Sequence, residues 1–325
     1  MTPFKKIGLA AATAAALLVP AMSAMAQTYP VKAIRMIVGF PPGGSSDIAA
    51  RIFADRMSRE LGQSIVVDNR AGVGGNIAAA ELIRAEPDGY TMLYATSSIV
   101  LGPLLYPSVK FDPLTDFTPV ALTATNPLVF VVNAALPPKN LKEFISYAKT
   151  QKNLNYASTG AGTMTHLPGA AFTRQFNVDA AHVPYKGASP AMVDLGSGST
   201  QFMISALSEA QAMLREGRIR PLAITSAKRN PLFPDLPTFN ESLGTTDWVM
   251  GGWQGIVLPK GASPDIVKKL EAAVNKAIAD PAVKAKFAPQ GTELLGGTSA
   301  QFTQFMKTET PRWKKIIDES GAKVE

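Results

Sequence analysis

From Ile34 to Phe40 the chain is almost uninterruptedly apolar, the pattern of a strand buried on both faces. Pro41-Pro42-Gly43-Gly44-Ser45-Ser46-Asp47 interrupts it, and the spacing then changes. Ile48, Ile52, Phe53, Met57 and Leu61 recur at helical intervals, with Arg51, Asp55, Arg56, Arg59 and Glu60 on the other face. A second strand is predicted at Ser64–Asp68, a glycine loop at Ala71–Gly75 and an Ala-rich helix at Ile77–Arg84. A turn at Pro87-Asp88-Gly89 precedes a third strand, Thr91–Ala95. Strands alternating with helices imply a mostly parallel sheet covered by helices on both faces, an α/β fold.

Pro119–Val132 is a longer β-rich run holding Asn126-Pro127. Proline cannot donate to a sheet ladder, so the run is expected to divide there as the chain leaves one lobe for another. The alternation then restarts. A helix is predicted from Asn140, a strand at Asn155–Ala157, a helix from about Met164, a strand at Ala181–Val183 and a helix from Ser189. Strand Gln201–Ile204, helix Leu207–Glu216 and strand Leu222–Thr225 follow. Beyond the proline-broken stretch Asn230–Thr238 lies one more apolar strand, Trp253–Leu258. Ser263-Pro264 then reads as an N-cap with proline at the first helical position, and only helices are expected after it. The expected organisation is a signal peptide (1–26), the first part of lobe 1 (27–126), lobe 2 (127–248) and a return to lobe 1 (249–325).

The leader rests on three features in order: Lys5 and Lys6, the short apolar run Ile7–Val19, and the small-x-small site Ala24-Met25-Ala26. Cleavage would leave Gln27 first and release the chain into the periplasm. The chain has no cysteine, which removes disulfides, thiolate chemistry and a lipoprotein anchor. Its two histidines, His166 and His182, stand in different motifs without metal-ligand spacing, so neither a metal nor a cofactor is expected. The formal charge of +7 is spread along the chain, densest at Arg312, Lys314 and Lys315. Nucleic acid would want a concentrated basic stripe, so it is not an expected partner.

The candidate chemistry repeats once in each half. Phe40 to Asp47, and Ser158-Thr159-Gly160-Ala161-Gly162-Thr163-Met164-Thr165-His166, each join a buried strand to a helix through glycines and hydroxyls. A helix start offers unpaired N–H groups and about half a unit of positive charge, and glycine lets an anion approach the backbone closely. Two such starts facing each other would hold a small molecule with an anionic group. Asp47 is as readily an N-cap as a binding residue. Gly72-Val73-Gly74-Gly75 lacks the third glycine of a dinucleotide fingerprint and reads as a structural loop.

Several motifs stand in a fixed order: Phe40–Asp47, Asn69-Arg70-Ala71, Pro87-Asp88-Gly89-Tyr90, His182-Val183-Pro184-Tyr185-Lys186-Gly187, Arg220–Ser226 and Trp253-Gln254-Gly255. Together, from about Tyr29 to the C-terminus, they resemble the Bug family of periplasmic receptors of tripartite tricarboxylate transporters. The resemblance implies a two-lobed, Venus-flytrap-like fold whose first-strand loop holds a ligand carboxylate, partly through backbone and water. Carried over, the first set is Phe40, Pro42, Gly43, Gly44, Ser45 and Asp47. The second is Ser158, Thr159, Gly160, Gly162, Thr163 and His166, with Ser97, Ser98, Tyr185 and Ser189 as additions. Many relatives carry an aspartate where this chain has Ser205, after Met203-Ile204. A serine would not pair a ligand ammonium, so a dicarboxylate or aromatic carboxylate is expected over an amino acid; alternatively, Ser205 satisfies only local backbone. Phe40 can stack on a ligand or plug the cleft floor, Lys186 can pair the ligand or stay solvated, and Trp248 and Trp253 can shape hinge or cleft.

The implied action is closure of a monomeric receptor around its ligand, which is then delivered to a membrane permease. A sensory role, with the closed form read by a membrane kinase, would use the same lobes. A hydrolase would need a nucleophile elbow, and the sequence has none.

Overall fold

The structure is a computed structural model that describes residues 29–246 and 248–320; the expected signal peptide, 1–26, lies outside the described residues. The first unit is β1 (Ile34–Val38), α1 (Ser45–Leu61), β2 (Ile65–Asn69), α2 (Asn76–Ile83), β3 (Thr91–Thr96) and α3 (Ser98–Leu105). β1 pairs with β2 and β3 in parallel, the consequence of joining each strand to the next through a helix. Gly62 closes α1 in the left-handed conformation at φ 69°.

β4 (Phe117–Asn133) then runs through both lobes as one strand. Its residues 117–127 pair with β9 (Gly251–Pro259), and its residues 128–133 pair with β7 (Phe202–Ala206) and β8 (Ile219–Ile224). The expected division at Asn126-Pro127 does not occur. Pro127 is the last residue paired to β9, so its missing N–H falls where the ladder changes partners and interrupts neither sheet.

The second lobe continues with α4 (Leu141–Ala148), β5 (Leu154–Ser158), α5 (His166–Phe176), β6 (Ala180–Pro184), α6 (Ala188–Ser197) and, after β7, α7 (Leu207–Arg215). Its strand order is β8-β4-β7-β5-β6, with the β7-β5-β6 part parallel. A short α8 (Phe239–Leu243), begun by a Thr238–Glu241 capping box, follows directly on the proline-broken stretch Asn230–Thr238, where no helix is expected. β9 re-enters the first sheet antiparallel to β3, giving the order β2-β1-β3-β9-β4. α9 (Pro264–Ala279) starts on the Ser263 cap, and α10 (Pro281–Phe287) follows it.

The expected all-helical C-terminus is corrected by β10 (Glu293–Gly296), which pairs antiparallel with β4 before α11 (Ser299–Ser320) closes the chain. Four residues with only two leucines among them carry too little periodicity to be read as a strand.

Strand alternation divides the core. Met36 and Val38 face Phe53, Met57, Leu270 and Phe287, whereas Ile37 faces the opposite layer. In lobe 2, Val129 and Val131 pack toward α7, while Phe130 joins Phe144, Phe172, Phe202 and Phe239 in an aromatic cluster. Trp248 stacks on Phe239 at 4.8 Å and donates to Gln175 Oε1 at 2.8 Å, which makes it part of the lobe 2 core. Each such aromatic burial is worth roughly 1.5–3 kcal/mol.

Candidate functional site

The loops after β1, β3 and β5 leave the carboxyl ends of their strands and meet between the lobes around a cavity of about 210 Å³. Lobe 1 supplies Phe40, Pro41, Pro42, Gly44, Ser45 and Ser46 at the start of α1, and Thr96, Ser97 and Ser98 at the start of α3. Lobe 2 supplies Thr159, Thr163, Met164 and Thr165, then Lys186 to Pro190 at the start of α6, and Ala206 and Glu209 at the start of α7. Asn126, Gly252, Trp253 and Gln254 line it where β4 and β9 cross between lobes. A larger cavity of about 760 Å³ lies beyond Trp253 and is reached by neither glycine loop.

The first loop is built on an acid held away from the cavity. Gly44 is the extended N-cap of α1, and Gly43 has φ 86°. Asp47 accepts from the Gly43 N–H at 2.9 Å, from Arg51 Nε at 3.0 Å and from Asn69 Nδ2 at 2.9 Å. Burial opposes its charge, but Arg51, the Gly43 N–H and Asn69 outweigh that and hold its pKa below the ordinary carboxylate value. Neither Gly43 nor Asp47 lines the cavity: they shape the loop that does.

The second loop is built without charge. Thr163 Oγ1 donates to the Gly160 carbonyl at 2.7 Å, and the Thr159 N–H donates to Thr165 Oγ1 at 2.8 Å. These bonds delay α5 to His166, two residues later than expected, because the threonine hydroxyls bond the loop's own backbone first. Gly162 has φ 73°, and a Cβ there would lie 2.8 Å from the Tyr106 ring.

Behind the loop, the Gly162 N–H donates to His166 Nδ1 at 3.0 Å, so that nitrogen carries no proton. His166 stacks on His182 at 3.8 Å, and His182 Nε2 lies 2.7 Å from Ser158 Oγ. Burial first, and for His166 the neighbouring His182 second, push their pKa values down to about 3 and about 4, so both rings are neutral.

Of the residues expected in the site, Phe40, Pro42, Gly44, Ser45, Ser97, Ser98, Thr159, Thr163 and Ser189 line the cavity. Ser158, Gly162 and His166 stand behind the second loop instead. Gly160 and Tyr185 line an adjacent crevice of about 400 Å³, where Tyr185 donates to Asp194 Oδ2 at 2.6 Å. Ser205 is also off the wall, donating to Glu209 Oε2 at 2.9 Å.

Ser205 thus bonds a side-chain carboxyl, that of Glu209 one helical turn later, which itself lines the cavity. Sequence reading also missed Thr96, Asn126, Thr165 and Gln254. Trp253 is placed at the cavity wall, its backbone N–H donating to Ser97 Oγ at 2.9 Å. The available signal for Glu209 is its position, third in a helix that opens on β7, where a glutamate reaches back to the helix start.

The lobes touch across the cleft. Ser45 Oγ donates to Glu209 Oε1 at 3.1 Å, Tyr106 Oη donates to the Ala161 carbonyl, and Asn230 Nδ2 donates to the Gly291 carbonyl at 3.1 Å. Among the described residues no group of three or more His, Cys, Asp or Glu side chains could hold a metal ion, and no helix is long and apolar enough to cross a membrane.

Comparison with known proteins agrees with this architecture. Residues 49–322 match the model of the tripartite tricarboxylate transporter family receptor. The chain is 37% identical to protein BugT of Bordetella pertussis, over 92% of each chain. An R. palustris protein solved with adipate superposes with a TM-score of 0.87 at 34% identity, covering 91% of this chain and 100% of that one. MatC from Rhodopseudomonas palustris, solved with bound malate, superposes with a TM-score of 0.83 at 31% identity, covering 89% and 100%. With the two-lobed fold, the family match and these relatives in agreement, this chain is a member of the tripartite tricarboxylate transporter receptor family.

Proposed function

We propose that this protein is a periplasmic receptor that captures a small carboxylate between its lobes and delivers it to a tripartite tricarboxylate-type membrane permease. The observation that carries the reading is that two glycine loops, one from each lobe, line a single cavity. The starts of α1 and α3 on one side and of α6 and α7 on the other surround it with N–H groups and hydroxyls, which favour an anion, and Lys186 adds a cation at the α6 start. The adipate and malate bound by the two solved relatives are carboxylates of the same class. Capture is by hinge closure: the ligand binds one lobe and then gains contacts to the other, so its differential affinity draws the population closed. The reading is of a monomeric, signal-peptide-bearing, non-catalytic binder.

The test is native mass spectrometry of the freshly purified mature protein, then thermal-shift screening of carboxylates at known concentration. A ligand at 100 times its Kd stabilises the folded form by about 2.7 kcal/mol, which raises Tm measurably. A panel that leaves Tm unmoved, or a bound molecule that is chemically turned over, defeats the proposal.

A further inference from the structure

Among the residues that line the cavity, Lys186 and Glu209 alone carry formal charge. Lys186 is an exposed side chain at the start of α6, whereas Glu209 is partly buried at the start of α7. One cation and one anion leave the cavity without net charge, which is an unusual lining for a ligand with two negative ends. Glu209 also stands between the lobes. Its Oε1 accepts from Ser45 Oγ of lobe 1 at 3.1 Å and its Oε2 from Ser205 Oγ of lobe 2 at 2.9 Å. Backbone N–H groups of Ser45 and Ala206 stabilise it further, although burial raises its pKa overall.

The protein's own carboxyl thus uses the α1 start, the place where a ligand carboxylate would otherwise be held. Every partner it has is a donor, so the arrangement suits an acceptor. A carboxylate has about four lone-pair sites, and the two hydroxyls and two N–H groups fill them, so a ligand donor enters by replacing Ser45 Oγ, the longer of the two hydroxyl contacts.

We propose that Glu209 sets the ligand class of this receptor: a monocarboxylate whose far end carries a hydrogen-bond donor, an ammonium or a hydroxyl, rather than a second carboxylate. This rests on the carboxylate-receptor reading and deepens it. The ligand's acid lies toward the second loop and Lys186, and its donor end lies against Glu209. A second carboxylate would meet the Glu209 carboxyl directly, acceptor against acceptor. The reading departs from that suggested by Ser205 alone, because the acid simply reaches the cleft from the next turn.

Matched ligands of equal length decide it, with butyrate, 4-hydroxybutyrate, 4-aminobutyrate and succinate as one series, and hexanoate, 6-hydroxyhexanoate, 6-aminohexanoate and adipate as the other. Titration calorimetry on the wild-type protein should show an amino or hydroxy acid binding at least about tenfold tighter than both the plain acid and the diacid of its series. Which of the two wins separates ammonium from hydroxyl. In Glu209→Gln the preference over the diacid should shrink at least about tenfold, chiefly because the diacid tightens. A purely structural role would weaken all four ligands alike. Tighter diacid binding by the wild-type protein overturns the assignment even if the variant cannot be purified, as does an unchanged ratio in the variant. If no carboxylate of either series or of the wider screen binds, the receptor reading itself fails and takes this one with it.

Discussion

The two glycine loops serve the same cavity and are stabilised by opposite means. After β1, an ionised Asp47 gathers Gly43, Arg51 and Asn69 into a charged network behind the loop. After β5, three threonine hydroxyls and a stacked pair of neutral histidines do the equivalent work. In the first loop the organising acid is turned away; in the second the histidines are, while Thr159, Thr163 and Thr165 both bond the loop and line the cavity. The difference teaches that a helix start can be shaped by a charged network or by hydroxyls; what it needs is its own loop satisfied elsewhere, so that the remaining N–H groups stay available. It also predicts that the first loop fails when a charge is removed and the second when a charge is added.

The largest effect of a single substitution should follow from Asp47→Ala. It strips three hydrogen-bond donors of their shared acceptor and leaves Arg51 only its bond to Asn69 Oδ1; because Arg51 is half-exposed, the cost stays at about 2–3 kcal/mol of stability. Urea unfolding would measure it, and an unchanged midpoint would show that the loop holds without its acid.

Next comes acidification. The folded-state pKa values of His166 and His182, about 3 and about 4, lie below the unfolded value of 6.5. The unfolded chain therefore takes up these protons first as pH falls. The stability that the neutral pair contributes is present above pH 6.5 and is lost between there and about pH 3–4. Its slope approaches about 1.4 kcal/mol per pH unit for each histidine. Unfolding at pH 7, 6 and 5 should show the loss, and His182→Phe should flatten it. Equal slopes in the two proteins would remove the pair from the account.

The smallest effect sharpens the comparison most. Thr159→Ala should weaken ligand binding about tenfold, the worth of one hydrogen bond to a carboxylate, with little loss of stability. Ser45→Ala should do the same only if Ser45 is free to leave Glu209. Calorimetry on both variants would separate them, and an unchanged Kd in the threonine variant would take the second loop out of contact with the ligand.

Much of this was legible beforehand because it is local. Helical spacing from Ile48 to Leu61, the Ser263-Pro264 cap and the strand-loop-helix device depend on residues a few positions apart, and their physics acts at that range. The reading failed where partners are distant. β10 exists because β4 offers an edge to it, and β4 stays whole because two sheets share it, neither of which shows in a window of sequence.

The same division holds at the site. Glycines and hydroxyls announced both loops, and the elements that carry them were set by pattern. Which side chains reach the cavity was decided only by packing. His166 turns back to stack on His182, Asp47 turns back to Arg51, and Glu209 comes forward across the cleft to Ser45. A side chain's direction follows from the contacts that satisfy it, and those contacts are made by residues far away in the chain. Order along the sequence therefore fixed the loops, and the closed tertiary structure alone chose which of their groups a ligand would meet.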